Sequence, residues 1–259
     1  MIALKINPDA DMTKWNMGWS YSILVSFSED SKKGNRDIFH AGSEKFKQFF
    51  VINQNVADAY MDYARLHYLY LSGLKLTDEA FGPTLRTGLQ AVQQCGQVQP
   101  GAHHGCMAVE GLLLSLQGQQ QAAQRQAPLP TLAKALERAR GARAGAPKDS
   151  TVLLAVAETC LRLAEIKAGL GQPATSELRE GLLSAEQTLK VAAGWPRALA
   201  IQGALWVLSA RGARLGPEQR ATLQRAQAAL KAGFAGSPPL KNRYGAALSE
   251  AETRLAELH

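Results

Sequence analysis

Cysteine is scarce in this sequence. There are three residues in 259, at Cys95, Cys106 and Cys160, an odd number with no C-x-x-C spacing. That argues against a disulfide framework and fits reduced core thiols in a cytosolic protein. Long apolar runs are lacking too. The most apolar stretches, 152–157 and 198–210, are too short or too interrupted to cross a bilayer. The first eight residues lack the basic segment, apolar core and small-residue cleavage site of a signal peptide, so the expected setting is cytoplasmic, away from the membrane. Proline is too thinly spread for a disordered chain. Basic residues exceed acidic ones, 29 to 22, giving a net charge of +7 and a pI near 9.4. The excess does not cluster: Lys and Arg are mixed with Glu and Asp, as on the solvated faces of helices. The aromatics are mostly N-terminal and the arginines mostly C-terminal, so the interleaved pattern of a nucleic-acid surface is missing.

Aromatics also thin out abruptly. Residues up to Phe81 hold Trp15, Trp19, Phe39, Phe46, Phe49, Tyr63 and Tyr68 among others, and beyond it only Trp195, Trp206, Phe234 and Tyr244 remain. The later part is rich in Ala, Leu, Gln, Gly and Arg.

What the chain does have is a repeat. Turns built around Pro8, Asn55, Pro100, Pro147, Pro196 and Pro238 are spaced by 47, 45, 47, 49 and 42 residues. A second break falls inside each unit: near Gly34, at 73–78, from Gly118 to Pro130, at 169–173 and at 211–217. Gly ends a helix cheaply and Pro can start the next, because its missing N–H is not needed in the first turn. Each unit therefore reads as helix, Gly-containing loop, helix. Within 178–193, Leu178, Leu182, Ala185 and Leu189 fall on one helical face, and Leu132, Leu136, Ala139 and Arg143 follow a similar track. The weak alternation of 20–28 continues a helix opening at Thr13 and has no partner strand. The repeat crosses the compositional shift, so the expectation is one domain over 1–259, with aromatic-rich repeats in 9–99 and Ala/Leu/Arg-rich repeats in 100–259.

Ala139 with Pro147, Ala185 with Pro196, and Ala226 or Ala229 with Pro238 resemble the small residue and closing proline of the tetratricopeptide repeat. Ala64, Ala157 and Gly203 or Ala204 look like the small residue of its first helix. The ordinary repeat is about 34 residues; these units are longer, and the extra length is expected in the intra-unit loop, as at 168–173. The elongated form resembles the repeat region C-terminal to the kinase domain of some bacterial serine/threonine protein kinases, and the turn Ile6-Asn7-Pro8-Asp9 reads like that region's turn between units. The kinase motifs themselves, a Gly-rich loop, H-R-D and D-F-G, are absent. Residues 1–7 resemble the tail of a second helix, as in a piece of a longer chain. The resemblance implies an all-α, right-handed solenoid of about five repeats with elongated intra-repeat loops. It also implies a concave groove lined by the first helices. With Gly18 and Ala64 at the small-residue position, its groove positions fall on Met12, Trp15, Trp19 and Ser22, then on Asp58, Met61, Arg65 and Tyr68.

Among these, Trp15, Trp19, Asp58, Met61, Arg65 and Tyr68 are the candidate partner-binding residues, since aromatics and Arg dominate binding hot spots. Core packing is the competing reading for about half of Trp15, Trp19, Tyr60, Tyr63, Tyr68 and Tyr70. Asp58, Asp62, Arg65 and His67 share one helix, where surface ion pairing outweighs a catalytic role. His103, His104 and Cys106 are the most metal-like cluster, but their spacing fits no zinc pattern and no second ligand pair is near in sequence. The Gln-rich stretch 117–126 reads as a solvated loop or frayed helix end. No catalytic residue, metal or cofactor is therefore expected. The leading functional expectation is a non-catalytic scaffold that binds a protein or peptide, with a kinase domain on the same chain or a second copy as candidate partners. An enzyme on a helical fold lacks any convincing nucleophile–base or metal spacing. An RNA-binding array would read one base position per unit, yet the aligned positions are Trp15, Met61, Ala108, Leu154 and Ile201.

Overall fold

The computed structural model of the chain describes residues 11–27, 33–101, 103–211 and 216–258. Among them are eleven α-helices and no strand: α1 (Asp11–Phe27), α2 (Lys33–Ile52), α3 (Ala57–Gly73), α4 (Phe81–Val98), α5 (His104–Ala123), α6 (Leu129–Gly145), α7 (Ser150–Gly169), α8 (Thr175–Val191), α9 (Pro196–Arg211), α10 (Pro217–Gly236) and α11 (Leu240–Glu257). The expectations for residues 1–7, for the turn at Pro8 and for 212–215 of the break at 211–217 lie outside the described residues, as do 31–32 of the break expected near Gly34; Gly34 itself falls inside α2.

Consecutive helices pack as hairpins, α1 with α2, α3 with α4, α5 with α6, α7 with α8 and α9 with α10. Each odd-numbered helix also packs on the next odd-numbered one. The molecule is thus a helical repeat with an inner row, α1, α3, α5, α7, α9 and α11, and outer helices behind it. The row closes on itself enough for α11 to touch α3.

The repeat has a physical basis in side-chain size. Gly18, Ala64, Gly111, Ala157 and Gly203 recur every 46 or 47 residues along the inner helices. A Cβ on Gly111 would lie 2.9 Å from the backbone oxygen of Ala135 in α6, and one on Gly203 2.9 Å from that of Ala226 in α10. Ala64 and Ala157 are fully buried. Three residues further on, Tyr21, His67 and Cys160 meet the outer-helix glycines Gly42, Gly88 and Gly181. Small residues on both partners let the hairpins approach closely, which alternation of large residues would prevent.

Two expectations change. The intra-unit connections, 74–80, 124–128 and 170–174, are short; the length beyond a 34-residue repeat sits in helices of 16 to 20 residues. Gly118 is no break either. It lies inside α5, where a Cβ would come 2.6 Å from Leu132 Cγ, so most of the Gln-rich stretch is helical and the turn follows it. The turns between units fall where expected, and Asp149 caps α7 by accepting from the N–H groups of Thr151 (2.7 Å) and Val152 (3.2 Å).

The core changes style along the chain. In the N-terminal units it is aromatic: Phe39 stacks on Tyr70 at 4.1 Å and meets His67 edge-on at 5.1 Å, and Phe50 stacks on Tyr60 at 4.2 Å. In the C-terminal units it is built from Ala, Leu, Ile and Val of α7, α9 and α10. No described helix is long and apolar enough to cross a membrane.

Candidate binding groove

The inner row encloses a groove made of two joined cavities. The larger, about 670 Å³, lies between α3, α5, α7 and the start of α9. The smaller, about 320 Å³, is bounded by α1, α3, α9 and the start of α11. Arg65, Leu69, Thr151, Trp195 and Arg197 line both, which makes the two continuous.

Asp58, Met61, Arg65 and Tyr68 all line the larger cavity, and Trp19 lines the smaller one. The tetratricopeptide resemblance implies groove positions for these residues, and the i, i+3, i+7, i+10 run along α3 puts four of them on one face. Their states differ. Trp19 is 46% exposed, whereas Tyr68 is only 3% exposed. Trp15 lines neither cavity: it is half-buried against Phe49 and donates its indole N–H to Asp62 Oδ2 at 3.0 Å. Of the six aromatics weighed between core and groove, Tyr63, Tyr68 and Tyr70 are buried, Trp15 and Tyr60 are half-buried and Trp19 is exposed.

The α3 charges do not form the surface pair expected of them. Asp62 is buried, which raises its carboxyl pKa, opposed by the Trp15 hydrogen bond and by nearby Arg65. Asp58 turns instead to His103, with Oδ1 3.2 Å from Nε2. His67 is buried among Phe39 and Tyr63 with Nδ1 2.8 Å from the Tyr63 carbonyl, and burial lowers its pKa to about 4. Arg65 makes no direct hydrogen bond or ion pair among the described residues, although it borders both cavities. It is the one groove cation so placed among them.

The floor of the groove carries a charge cluster that sequence spacing does not reveal. Glu158 of α7 is 1% exposed and faces three arginines. Arg243 Nη2 lies 2.6 Å from Oε1, Arg197 Nε 3.2 Å from Oε2, and Arg162 Nη2 3.8 Å from Oε1. Arg162 also holds Glu165 at 2.8 Å. Tyr68 and Tyr244 complete the cluster. Arg197 lies over the Tyr68 ring at 4.9 Å and donates to its hydroxyl, while Arg162 lies over the Tyr244 ring at 5.4 Å. Desolvation disfavours the Glu158 carboxylate, but the three guanidinium groups outweigh it and hold the pKa well below the usual range. The same burial pushes the Tyr68 hydroxyl far up, so it stays neutral.

One signal for this cluster does exist in the sequence. α7 is buried on nearly every side from Val152 to Ala164, and a Glu and an Arg four apart inside such a helix must find partners, because unpaired buried charge is costly. That those partners come from α3, α9 and α11 is invisible in the spacing.

No protein-family model matches the chain, and no curated protein matches it significantly in sequence. What the groove can bind therefore has to be argued from its own geometry.

The cysteines also depart from expectation. Cys95 at the end of α4 and Cys106 in the first turn of α5 form a disulfide, with Cα atoms 6.5 Å apart. They flank the turn between two units, so packing α4 beside α5 brings together residues that share no local motif. Cys160 is a buried free thiol.

Proposed function

We propose that the chain is a non-catalytic scaffold of the tetratricopeptide kind, a right-handed solenoid that holds a segment of a partner protein along its inner groove. The observation that carries this reading is that an exposed Trp19 and an Arg65 with no direct hydrogen bond or ion pair among the described residues line the same cavity. A large exposed aromatic and a guanidinium on one cavity wall are the composition of a binding hot spot. Trp195 and Leu69 add apolar wall next to them. The favoured occupant is a peptide segment with an apolar anchor for the Trp19 end and a carboxylate for Arg65. Asp58 and Met61 extend the contact surface towards α5. Trp15 and Tyr68 act as supports: the first fixes α1 on α3 through Asp62, and the second is tied to Arg197. Recognition needs no bond chemistry, and the one deeply buried carboxylate of the groove is neutralised by its arginines.

In the cytoplasmic setting read from the sequence, the glutathione pool would hold Cys95 and Cys106 as thiols. The resemblance to repeat regions that accompany bacterial serine/threonine kinase domains adds a second element to the proposal, an interaction region acting for such a kinase. Reading the open reading frame upstream of Met1 tests that element.

The groove reading is tested by selecting peptides from a display library on the purified chain and measuring the enriched sequences by calorimetry. Trp19→Ala and Arg65→Ala should each weaken binding about thirty-fold. Enriched peptides that bind both variants as well as the parent would rule the groove out.

A further inference from the structure

The turn between α4 and α5 gathers three metal-ligating side chains. Cys95, His103 and Cys106 present their ligand atoms within 4.8 Å of one another, and no other such group of His, Cys, Asp or Glu occurs among the described residues. The two sulfurs are buried, at 0% and 4% exposure, and His103 is 14% exposed. His103 is the N-cap of α5, and its Nδ1 accepts the Cys106 N–H at 3.2 Å. Nδ1 therefore carries a lone pair and the proton sits on Nε2, which faces Asp58 Oδ1 at 3.2 Å. A carboxylate holding the far nitrogen of an imidazole is the usual outer support of a metal-bound histidine, since it fixes the tautomer and makes the ligating nitrogen more basic. One wall of a surface cavity of about 790 Å³ is formed by His103 and Cys106, which gives solvent a path to the cluster.

We propose that, once the Cys95–Cys106 disulfide is reduced, Cys95, Cys106 and His103 bind one thiophilic divalent cation, with Asp58 orienting the histidine. Two thiolates and one imidazole suit Zn²⁺, leaving its fourth position for water or a ligand. The chemistry balances with a thiol reductant. Two electrons from an external dithiol break the Cys95–Cys106 S–S bond, each sulfur gains a proton, and the reductant leaves as its own disulfide. Zn²⁺ then displaces both thiol protons and bonds the two sulfurs and Nδ1, whose one lone pair exchanges the Cys106 N–H for the metal. A disulfide oxidant that takes two electrons from the two thiolates, and leaves as its own dithiol, re-forms the S–S bond and releases the metal, so the inter-unit turn is clamped by a covalent bond in one state and by an ion in the other.

The test uses the full chain, reduced with a phosphine and titrated anaerobically with Co²⁺, whose complexes are coloured. The expected result is one equivalent bound, a thiolate-to-cobalt charge-transfer band, and loss of that band on adding one equivalent of Zn²⁺. The oxidised chain should give no band. Cys95→Ser should lose it, Cys160→Ser should keep it, and Asp58→Asn should weaken affinity about 10- to 100-fold. A reduced chain without the band, or a band that survives Cys95→Ser, overturns the proposal. A second readout needs no variant. Zn²⁺ should slow alkylation of Cys95 and Cys106 in the reduced parent chain, followed by mass spectrometry, and equal rates with and without Zn²⁺ also overturn it.

Discussion

Arg197 of α9 lies over the ring of Tyr68 of α3 and donates to its hydroxyl, across 129 residues of sequence. The contact joins the second unit directly to the fifth, in a fold where most helix packing is within a unit or between neighbouring units. The same guanidinium reaches Glu158 of α7, so three inner helices meet at one side chain. α11 joins them through Arg243. In a linear repeat, stability is a sum of neighbour terms; here a long-range clasp couples α3 and α7 to α9 and α11.

The clasp should be worth most where its loss strands charge. Glu158→Gln leaves three buried guanidinium groups without their shared counterion and is expected to cost about 3–5 kcal/mol. Arg197→Met removes one of three partners and should cost less, about 2 kcal/mol. The double variant should be less damaged than the sum of the two, by more than about 0.5 kcal/mol. Urea unfolding of the four proteins measures this, and strict additivity would mean that the groups do not act as a network.

His67 should make the fold sensitive to mild acid. Burial holds its folded pKa near 4, against 6.5 for the free side chain. The unfolded chain therefore takes up a proton that the folded chain refuses between those values. Stability is fully present above pH 6.5 and falls as the pH drops towards 4, by up to about 3 kcal/mol. Glu158 does not share this window: its folded pKa is depressed, so its contribution holds above the ordinary carboxylate pKa and is lost only at lower pH. Denaturant unfolding from pH 7 to pH 4 should show the slope, and His67→Gln should flatten it.

Two glycine-to-alanine changes should have opposite signs. Gly96 lies on an exposed face of α4, and an added methyl group there would meet nothing within 4 Å, so Gly96→Ala should stabilise by about 0.5–1 kcal/mol through helix propensity. At Gly203 the same methyl group would stand 2.9 Å from the Ala226 carbonyl oxygen and 2.7 Å from Leu230. Gly203→Ala should destabilise by about 1–3 kcal/mol despite the same propensity gain. Thermal melts of both variants decide it.

Trp19 and Tyr68 share the spacing that marks groove positions and should part company in stability. Trp19→Ala, on an exposed side chain, should change folding free energy by less than about 0.5 kcal/mol. Tyr68→Ala empties a buried site and removes an Arg197 partner, at about 3 kcal/mol or more. Equal melting temperatures for the two variants would show that Tyr68 does not brace the row.

The helices, their pairing and the shared face of Asp58, Met61, Arg65 and Tyr68 were legible in the sequence because they depend on local periodicity; that this face looks inward was implied by the tetratricopeptide resemblance. Turn residues recur at near-constant intervals, small residues recur every 46 or 47 positions, and Asp58, Met61, Arg65 and Tyr68 must share a face wherever that helix packs. The length of each helix was less legible, since Gly118 reads as a stop when seen alone and as a close contact once Leu132 lies against it. Tertiary structure alone decided which side chains of that face stay free. Tyr68 is drawn inward because Arg197, from a distant unit, needs both its ring and its hydroxyl, while Trp19 finds no such partner. It also decided that Cys95 meets Cys106 and His103, because α4 and α5 run side by side. Spacing along one chain records a face; it carries no record of the opposing face, whose charges, rings and thiols arrive from helices far away in sequence.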